Sequence, residues 1–236
     1  MNIWFKATEC PVCKMKFKYP RIKSRDIKSV KRDTDFMYYY EGVNPLYYQI
    51  TVCPQCLYSD KYTSFEKLSP YKAERVRNDY EQRKNIAGKY NFDGIRNFAC
   101  VIKSYELAAL CGISRKAKSD EIAGFYLRAA WVAREQEKTE IELHYLSLAY
   151  QFYLKAYQVE YTKFGKLGEV GFIYLIGEIA RRLKKYDEAL KFFSKVIEHP
   201  DIKKSHEIER LTRNAWQETK ALKSEVKEKI DIDKLL

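Results

Sequence analysis

Four of the six cysteines lie in two similar stretches, "CPVCK" at 10–14 and "CPQCL" at 53–57. A C-x-x-C turn places two thiolates within reach of one metal ion, and two such turns supply the four sulfur ligands of a closed, tetrahedral structural zinc site. The sequence therefore predicts one Zn²⁺ per chain, bound by Cys10, Cys13, Cys53 and Cys56. Iron in a rubredoxin-like site uses the same four ligands, and it is the less favoured alternative to zinc. A thioredoxin-like redox pair is the remaining alternative, but neither stretch opens a helix within a β-α-β unit, as such a pair requires.

The residues around these cysteines predict a small β module. Strand-like alternation occurs at 14–19, weakly at 27–31 and strongly at 47–53. The 39 residues between the two motifs exceed the common spacing of about 15–20, so the module is interpreted as a zinc ribbon with an enlarged insert. Lys14 and Leu57 stand where such turns usually have glycine, and we expect strain or a different turn there.

Positive charge is concentrated in the same region. The chain carries a net charge of +12, and residues 14–32 hold nine Lys or Arg residues against one acid, Asp26. Phe17 and Tyr19 alternate with these basic residues, and single-stranded nucleic acids are bound by basic side chains and aromatic rings together. The alternative is a solvated ribbon surface with aromatic residues packed beneath it. The possible nucleic-acid face consists of Lys16, Lys18, Lys23 and Arg25.

The rest of the sequence predicts helices. Ser69-Pro70 is a helix start, and it opens a charged helix at about 70–86 that is broken by "KYNFDG" at 89–94. The segment 174–200 resembles a tetratricopeptide repeat, with Gly177 as the small residue of its first helix and Phe193 as the large residue of its second. Two earlier helices repeat the rhythm of the second helix at wider spacing.

We therefore predict a mainly α fold, a tetratricopeptide-like helical solenoid with a small N-terminal zinc-ribbon-like β module. The predicted domains are the module at 1–68, a linking helix at 69–94 and the helical domain at 95–236, which ends in a capping helix. Cys100 and Cys111 fall within helical pattern and are expected to be core thiols.

A partner groove is predicted on the first helices of the repeats. Clustered arginines in a concave wall suit an acidic segment or a free C-terminal carboxylate, because guanidinium pairs with carboxylate in a bidentate way. Ordinary solvated helix charges are the alternative. The predicted groove residues are Tyr174, Glu178, Arg181, Arg182, Arg128 and Arg134.

Longer motifs connect these features to a known family. "KRDTDF", "GVNPLYY", "FEKLS", "SYELAAL" and "AGFYLRAAWVARE", together with the two cysteine motifs, give the chain a resemblance to the bacterial family called domain of unknown function 2225. The resemblance covers most of the chain and implies an N-terminal zinc-binding segment followed by tetratricopeptide-like helices. It implies no activity, because the family has none assigned.

The sequence favours a binding protein over an enzyme. It contains no phosphate-binding loop, no nucleophile elbow and no dinucleotide fingerprint, and its three histidines are scattered. The first ten residues have no apolar core, so no signal peptide is predicted and a cytoplasmic location is expected, without a membrane partner. Two functions compete: a protein-interaction scaffold that binds an unidentified protein or peptide, and a nucleic-acid-binding protein whose helices recruit a partner.

Overall fold

The computed structural model describes residues 3–160 and 167–233, with side chains as far as residue 228. Within this part of the chain, helices predominate, as predicted, and the strands form three small antiparallel pairs. None of the helices in it is long and apolar enough to cross a membrane. The strands β1–β6 are Ile3–Glu9, Lys16–Ile22, Lys28–Arg32, Tyr38–Glu41, Ile50–Val52 and Ser59–Lys61. The helices α1–α8 are Pro70–Arg77, Tyr80–Ala87, Phe98–Ser114, Ser119–Glu135, Thr139–Val159, Gly168–Arg182, Tyr186–Ile197 and His206–Asp233.

The three strand pairs are β1 with β2, β3 with β4, and β5 with β6. Strands β2, β3 and β5 overlap the three stretches where the sequence alternates, whereas β1, β4 and β6 were not predicted. The β3–β4 pair shifts register between Ser29 and Lys31, which leaves Val30 in a bulge. Each pair is therefore a separate two-stranded ribbon rather than part of a larger sheet.

The charged helix predicted at about 70–86 is two short helices. Pro70 occupies the first position of α1 after Ser69, as predicted, because proline needs no hydrogen-bond acceptor there. The chain leaves helical geometry at Asp79, and α2 begins at Tyr80. A single helix is therefore the wrong description of this segment.

The chain folds into two units, each with its own internal packing. The first runs up to Asp33 and continues over Met37–Phe152, and the second contains Thr34–Phe36 and the chain from Tyr153 onward. This division differs from the predicted domains, because helix α3 packs against the strands instead of forming a separate helical domain. In the first unit, the buried Tyr105 hydroxyl on α3 donates to the Leu46 carbonyl at 2.8 Å. Cys100 and Cys111, also on α3, are buried thiols, as predicted.

In the second unit, α6 packs on α7, and α7 packs on α8. The α6–α7 contact is close at Gly177, where an added Cβ would lie 2.8 Å from Cε1 of the Phe193 ring. Ile173, Ile176 and Ala180 are among the buried residues of α6. The small residue at 177 is thus what lets the Phe193 ring lie against the α6 backbone.

We predict that Gly177→Ala destabilises the protein. The new methyl group overlaps the Phe193 ring, and overpacking of this kind costs about 1–3 kcal/mol of unfolding free energy. Urea unfolding followed by circular dichroism measures the loss, and adding Phe193→Leu should recover part of it. The control is Gly94→Ala, because an added Cβ there meets no described atom within 4 Å. Equal unfolding midpoints for the two alanine variants would contradict this account of the helix contact.

Candidate metal centre

Each cysteine motif forms the turn of a β-hairpin. The first motif connects β1 to β2, and the second connects β5 to β6. The two turns have the same hydrogen bonds: the first cysteine N–H donates to the carbonyl five residues on, and its own carbonyl accepts from the residue four on, all at 2.9 Å. Both copies of the five-residue motif therefore form the same type of turn.

The turns keep a glycine-like backbone without glycine. Lys14 has φ 65° and Leu57 has φ 59°, in the left-handed region that side chains disfavour. The predicted alternative of a different turn is therefore not adopted, and the predicted strain is present. A cost of about 1–2 kcal/mol at each position is offset only if something else fixes the loop.

The four cysteine sulfurs converge on one point. All four Sγ atoms lie within 4.8 Å of one another, and the Cys10–Cys56 and Cys13–Cys53 pairs are 3.5 Å apart. A disulfide would require about 2.05 Å. In a tetrahedron with metal–sulfur bonds of about 2.3 Å, the sulfurs lie about 3.8 Å apart. The donor set and its spacing therefore fit a single thiolate-bound metal ion.

The thiols are strongly coupled to one another. Hydrogen bonds from the Cys53 and Cys56 side chains lower the pKa of Cys10 to about 4. The same interactions with Cys10 raise the pKa of Cys53 and of Cys56 above the usual thiol range. A metal ion must displace the protons of the latter two, so its affinity increases with pH.

Two arginines from the short helices hold the cysteine loops in place. Arg77 on α1 donates to the Val12 carbonyl from Nε at 3.2 Å and from its terminal nitrogen at 2.9 Å. Arg83 on α2 donates from Nε to the Cys56 carbonyl at 3.0 Å and from a terminal nitrogen to the Val76 carbonyl. Neither arginine was predicted from the sequence. Both lie in the charged helical segment that follows the second motif, where the sequence does not distinguish a buried arginine from a solvated one.

Arg83 also bears on the charge of the centre. Its side chain is fully buried, and the groups that accept its hydrogen bonds are neutral carbonyls. A buried cation is stable only near compensating negative charge. Four thiolates around a divalent ion carry net negative charge, so Arg83 fits a metal-loaded centre.

Apolar packing shields the site from water. Cys10 and Cys53 are buried in a core cluster with Val12, Tyr58 and Phe65. The Tyr58 and Phe65 rings lie 4.9 Å apart, and Phe17 meets Phe65 edge to face. Cys111, a buried thiol of α3, joins this cluster and accepts a hydrogen bond from the Ser59 N–H. The metal centre is therefore continuous with the core of the first unit.

The predicted nucleic-acid residues all lie at the surface. Lys16 and Lys18 are exposed on β2, and Lys23 and Arg25 are exposed at the short turn that follows it. Arg25 is 3.8 Å from the carboxylate of Asp26. The aromatic residues between the lysines point the other way: Tyr19 is buried, and Phe17 packs on the core cluster.

The structure does not place the predicted groove residues of α6 in an open groove. Tyr174 and Glu178 are fully buried in the second unit. Both nitrogens of the Arg181 fork donate to Glu178 at 2.7 Å, and Arg182 donates to the same carboxylate at 2.9 Å. Tyr174 and Glu178 were predicted to line a partner groove, but both are buried, and the Glu178 carboxylate is compensated by Arg181 and Arg182.

The segment Thr34–Phe36, which belongs to the second unit, completes this cluster. The Thr34 hydroxyl donates to Glu178 at 2.6 Å, and the Tyr174 hydroxyl donates to the Thr34 carbonyl at 3.0 Å. Asp35 is fully buried and lies 3.7 Å from Arg182. Arg182 thus pairs with an acidic segment of its own chain, whereas the predicted acidic segment was that of a separate partner.

The two predicted groove residues on α4 lie in the first unit. Arg134 is mostly buried and donates to Asp33 at 2.9 Å and to Glu142 at 2.7 Å. Arg128 is half-buried, donates to the Gly124 carbonyl at 2.6 Å and lies 6.0 Å from the Trp131 ring. The carboxylate pairing expected of Arg134 is again made within the chain.

Comparison with known proteins places the chain among bacterial sequences. Residues 3–219 match the family model described as "Uncharacterized protein conserved in bacteria (DUF2225)". A protein of Borreliella burgdorferi, described as an uncharacterized protein, is 30% identical over 163 residues, which cover 63% of this chain and 58% of that protein. The chain thus spans less than two thirds of the length of this curated relative. No solved structure matches the chain.

We predict that Cys53→Ser loses the metal while Cys100→Ser keeps it. Serine is a poor ligand for a soft thiolate site, and three remaining thiolates leave it incomplete. Elemental analysis of the purified proteins should give one metal ion per chain for wild type and for Cys100→Ser. The two substitutions are chemically identical and both affect buried thiols, so only their position differs. Retention of the metal by Cys53→Ser would exclude this centre.

We also predict that Arg83→Met weakens metal binding. Residues that orient metal ligands typically contribute about 10- to 100-fold to affinity, and methionine removes both the hydrogen bond to the Cys56 carbonyl and the buried charge. Competition with a chromophoric chelator measures the change, and circular dichroism checks that the helices remain. Arg75→Met is the matched control, because Arg75 donates to the Ser114 carbonyl and not to a cysteine loop. Equal metal affinities for the two variants would show that Arg83 contributes to packing and not to metal binding.

Proposed function

The chain belongs to the DUF2225 family of uncharacterized bacterial proteins, and we propose that it is a non-enzymatic nucleic-acid-binding protein whose binding face is ordered by a structural zinc ion. The observation that carries the proposal is the exposed basic surface on and after the hairpin β1–β2. The protein acts in the cytoplasm, where reducing conditions keep the cysteines available as ligands.

The donor set supports zinc in a structural role. Four thiolates in a closed tetrahedron suit zinc, with iron as the alternative. A closed site has no open coordination position for water or substrate, so a metal held by these four cysteines supplies no hydrolytic chemistry. The ion instead joins two hairpins that are distant in sequence.

The register of β1 and β2 separates a core face from an outer face. Ala7 pairs with Lys18, and Glu9 pairs with Lys16. Side chains alternate along a strand, so these residues share the outer face with Phe5, whose side chain is 51% exposed. Tyr19 and Phe17 occupy the opposite face and pack inward. The outer face thus offers two lysines, one of them opposite Glu9, and one exposed aromatic ring, and lysines beside an aromatic ring can bind nucleic acid.

The surrounding residues extend the positive charge. Lys23 and Arg25 follow β2 at the turn Ser24–Asp26, and all five residues of β3 are exposed. From Lys14 to Arg32 the chain has nine basic residues against one acid. A cluster of this density attracts phosphates whatever the base sequence, and it releases counterions when it binds them.

Partner recruitment by the helices is the second candidate function. The α6–α7 pair has the close helix packing at Gly177 that a tetratricopeptide-like repeat requires. The predicted arginine groove is a weaker candidate surface, because its arginines pair within the chain. The observation that favours recruitment is instead a cavity of ≈ 390 Å³ in the first unit between α3 and α5, lined largely by apolar side chains that include Phe98, Ile102 and Ile141.

We predict that reversing Lys16, Lys18 and Lys23 to Glu abolishes nucleic-acid binding. Wild-type affinity for a fluorescein-labelled oligonucleotide should fall about 10³-fold or more between about 50 and 200 mM salt if six or more phosphates are contacted. Fluorescence anisotropy measures both effects. The control reverses the exposed Lys84, Lys89 and Lys138 to Glu, which changes the net charge of the first unit equally at other positions. Absence of wild-type binding at low salt, or equal loss in the control, would contradict the proposal.

A pull-down from native lysate separates the two candidate functions. If nucleic acid is the partner, nuclease treatment should release the co-purified material and the Lys16, Lys18 and Lys23 variant should recover none. A protein partner bound to the helices should survive nuclease and be recovered equally by that variant.

A further inference from the structure

The ribbon β3–β4 carries a second set of basic and aromatic side chains. We call it the tyrosine ribbon, formed by Lys28–Arg32 and Tyr38–Glu41. Tyr38, Tyr39 and Tyr40 lie opposite Arg32, Lys31 and Ser29 in the pairing register. Basic residues therefore face tyrosines directly across two strands that do not belong to the metal-binding hairpins.

The exposed strand β3 is suited to contact a polyanion. Every residue of Lys28–Arg32 is exposed, and none of the five is acidic. Val30, at the register shift, is an apolar residue that is 64% exposed between Lys28 and Lys31. The carboxylate of Asp33, which follows the strand, is paired with Arg134 and does not oppose a phosphate.

Tyr38 is the ring that a ligand can reach. Its side chain is 42% exposed, and the guanidinium carbon of Arg32 lies 5.6 Å from its centroid. Its neighbours are held more firmly: the Tyr39 hydroxyl donates to Asp33 at 3.3 Å, and Tyr40 is half-buried, which raises its pKa. Tyr38 and Tyr40 rings are 6.4 Å apart on the same side of the strand. Tyr38 is therefore the exposed ring of a pair, and the half-buried Tyr40 ring lies beside it.

We propose that the tyrosine ribbon makes the protein selective for single-stranded nucleic acid, with an unpaired base stacked on Tyr38 and a phosphate bound by Arg32, which lies opposite Tyr38 on the same face of the ribbon. The inference rests on the proposed function and names its substrate class. Every base has a π-face that is available for stacking only when the base leaves the duplex. Lysines alone bind duplex and single strands through phosphates, whereas an exposed ring beside a cation adds a contact that only an unpaired base can make.

The test uses the zinc-loaded full chain and three labelled ligands at about 50 mM salt: oligo(dT), its duplex with oligo(dA), and an abasic strand of equal length. We expect oligo(dT) to bind about 5- to 150-fold more tightly than the abasic strand, since stacking contributes this factor per base. Tyr38→Ala should remove this preference without changing the dependence on salt, and Tyr38→Phe should retain it.

The matched control is Tyr71→Ala. Tyr71 is a 72% exposed tyrosine on α1, also beside an arginine, and its removal should leave the preference unchanged. Metal content and circular dichroism of Tyr38→Ala confirm that it folds, and the comparison of ligands on wild type is independent of any variant.

The outcomes separate this inference from the function on which it rests. Equal affinity of wild type for oligo(dT) and the abasic strand, or equal affinity for oligo(dT) and the duplex, would overturn the stacking role while leaving phosphate binding by the basic face intact. A Tyr38→Ala variant that keeps the full preference would also overturn it. No binding to any of the three ligands would overturn the proposed function itself.

Discussion

The convergence of four cysteine sulfurs, close enough together to hold one metal ion, is the constraint on which the architecture around the two hairpins depends. Both cysteine motifs have to be hairpin turns, because only a tight turn directs two thiolates the same way. Strands must then flank each turn, and the left-handed backbone at Lys14 and Leu57 has to be tolerated. Arg77 and Arg83 fix the loop carbonyls, and the aromatic cluster of Tyr58 and Phe65 excludes water. A four-thiolate centre thus explains features that are individually unfavourable.

The sequence predicted the local features and missed those that depend on distant partners. The ligands follow from spacing, and β2, β3 and β5 from alternation, because both signals are local. Strands β1 and β6 carry a weaker signal, but they follow from geometry: if a motif is a hairpin turn, a strand on one side requires one on the other. Arg83 was missed because nothing in a charged helix distinguishes a buried arginine from a solvated one. The domain boundaries differ because the packing of α3 on the strands leaves no mark on composition.

The arginines that were predicted to line a partner groove pair with carboxylates of their own chain. Arg134 and Arg182 do bind carboxylates, as guanidinium groups in concave surroundings are expected to. Those carboxylates belong to the same chain and include Asp33, in the first unit, and Asp35, in the second. Residue types specify which groups attract each other, but they do not specify whether the partner comes from the same molecule. The "KRDTDF" motif, which the sequence linked to family membership, therefore has a structural explanation in its acidic residues.

The 43-residue separation of the two cysteine motifs also determines the order in which the ribosome synthesises the four ligands. At about 5–20 residues per second, the ribosome delivers Cys53 about 2–9 s after Cys10. During that interval a nascent chain has two of its four ligands, so any ion it holds keeps positions open to water or to cellular thiols. The first hairpin consequently emerges before its metal can be enclosed, and closure of the coordination sphere must wait for the second.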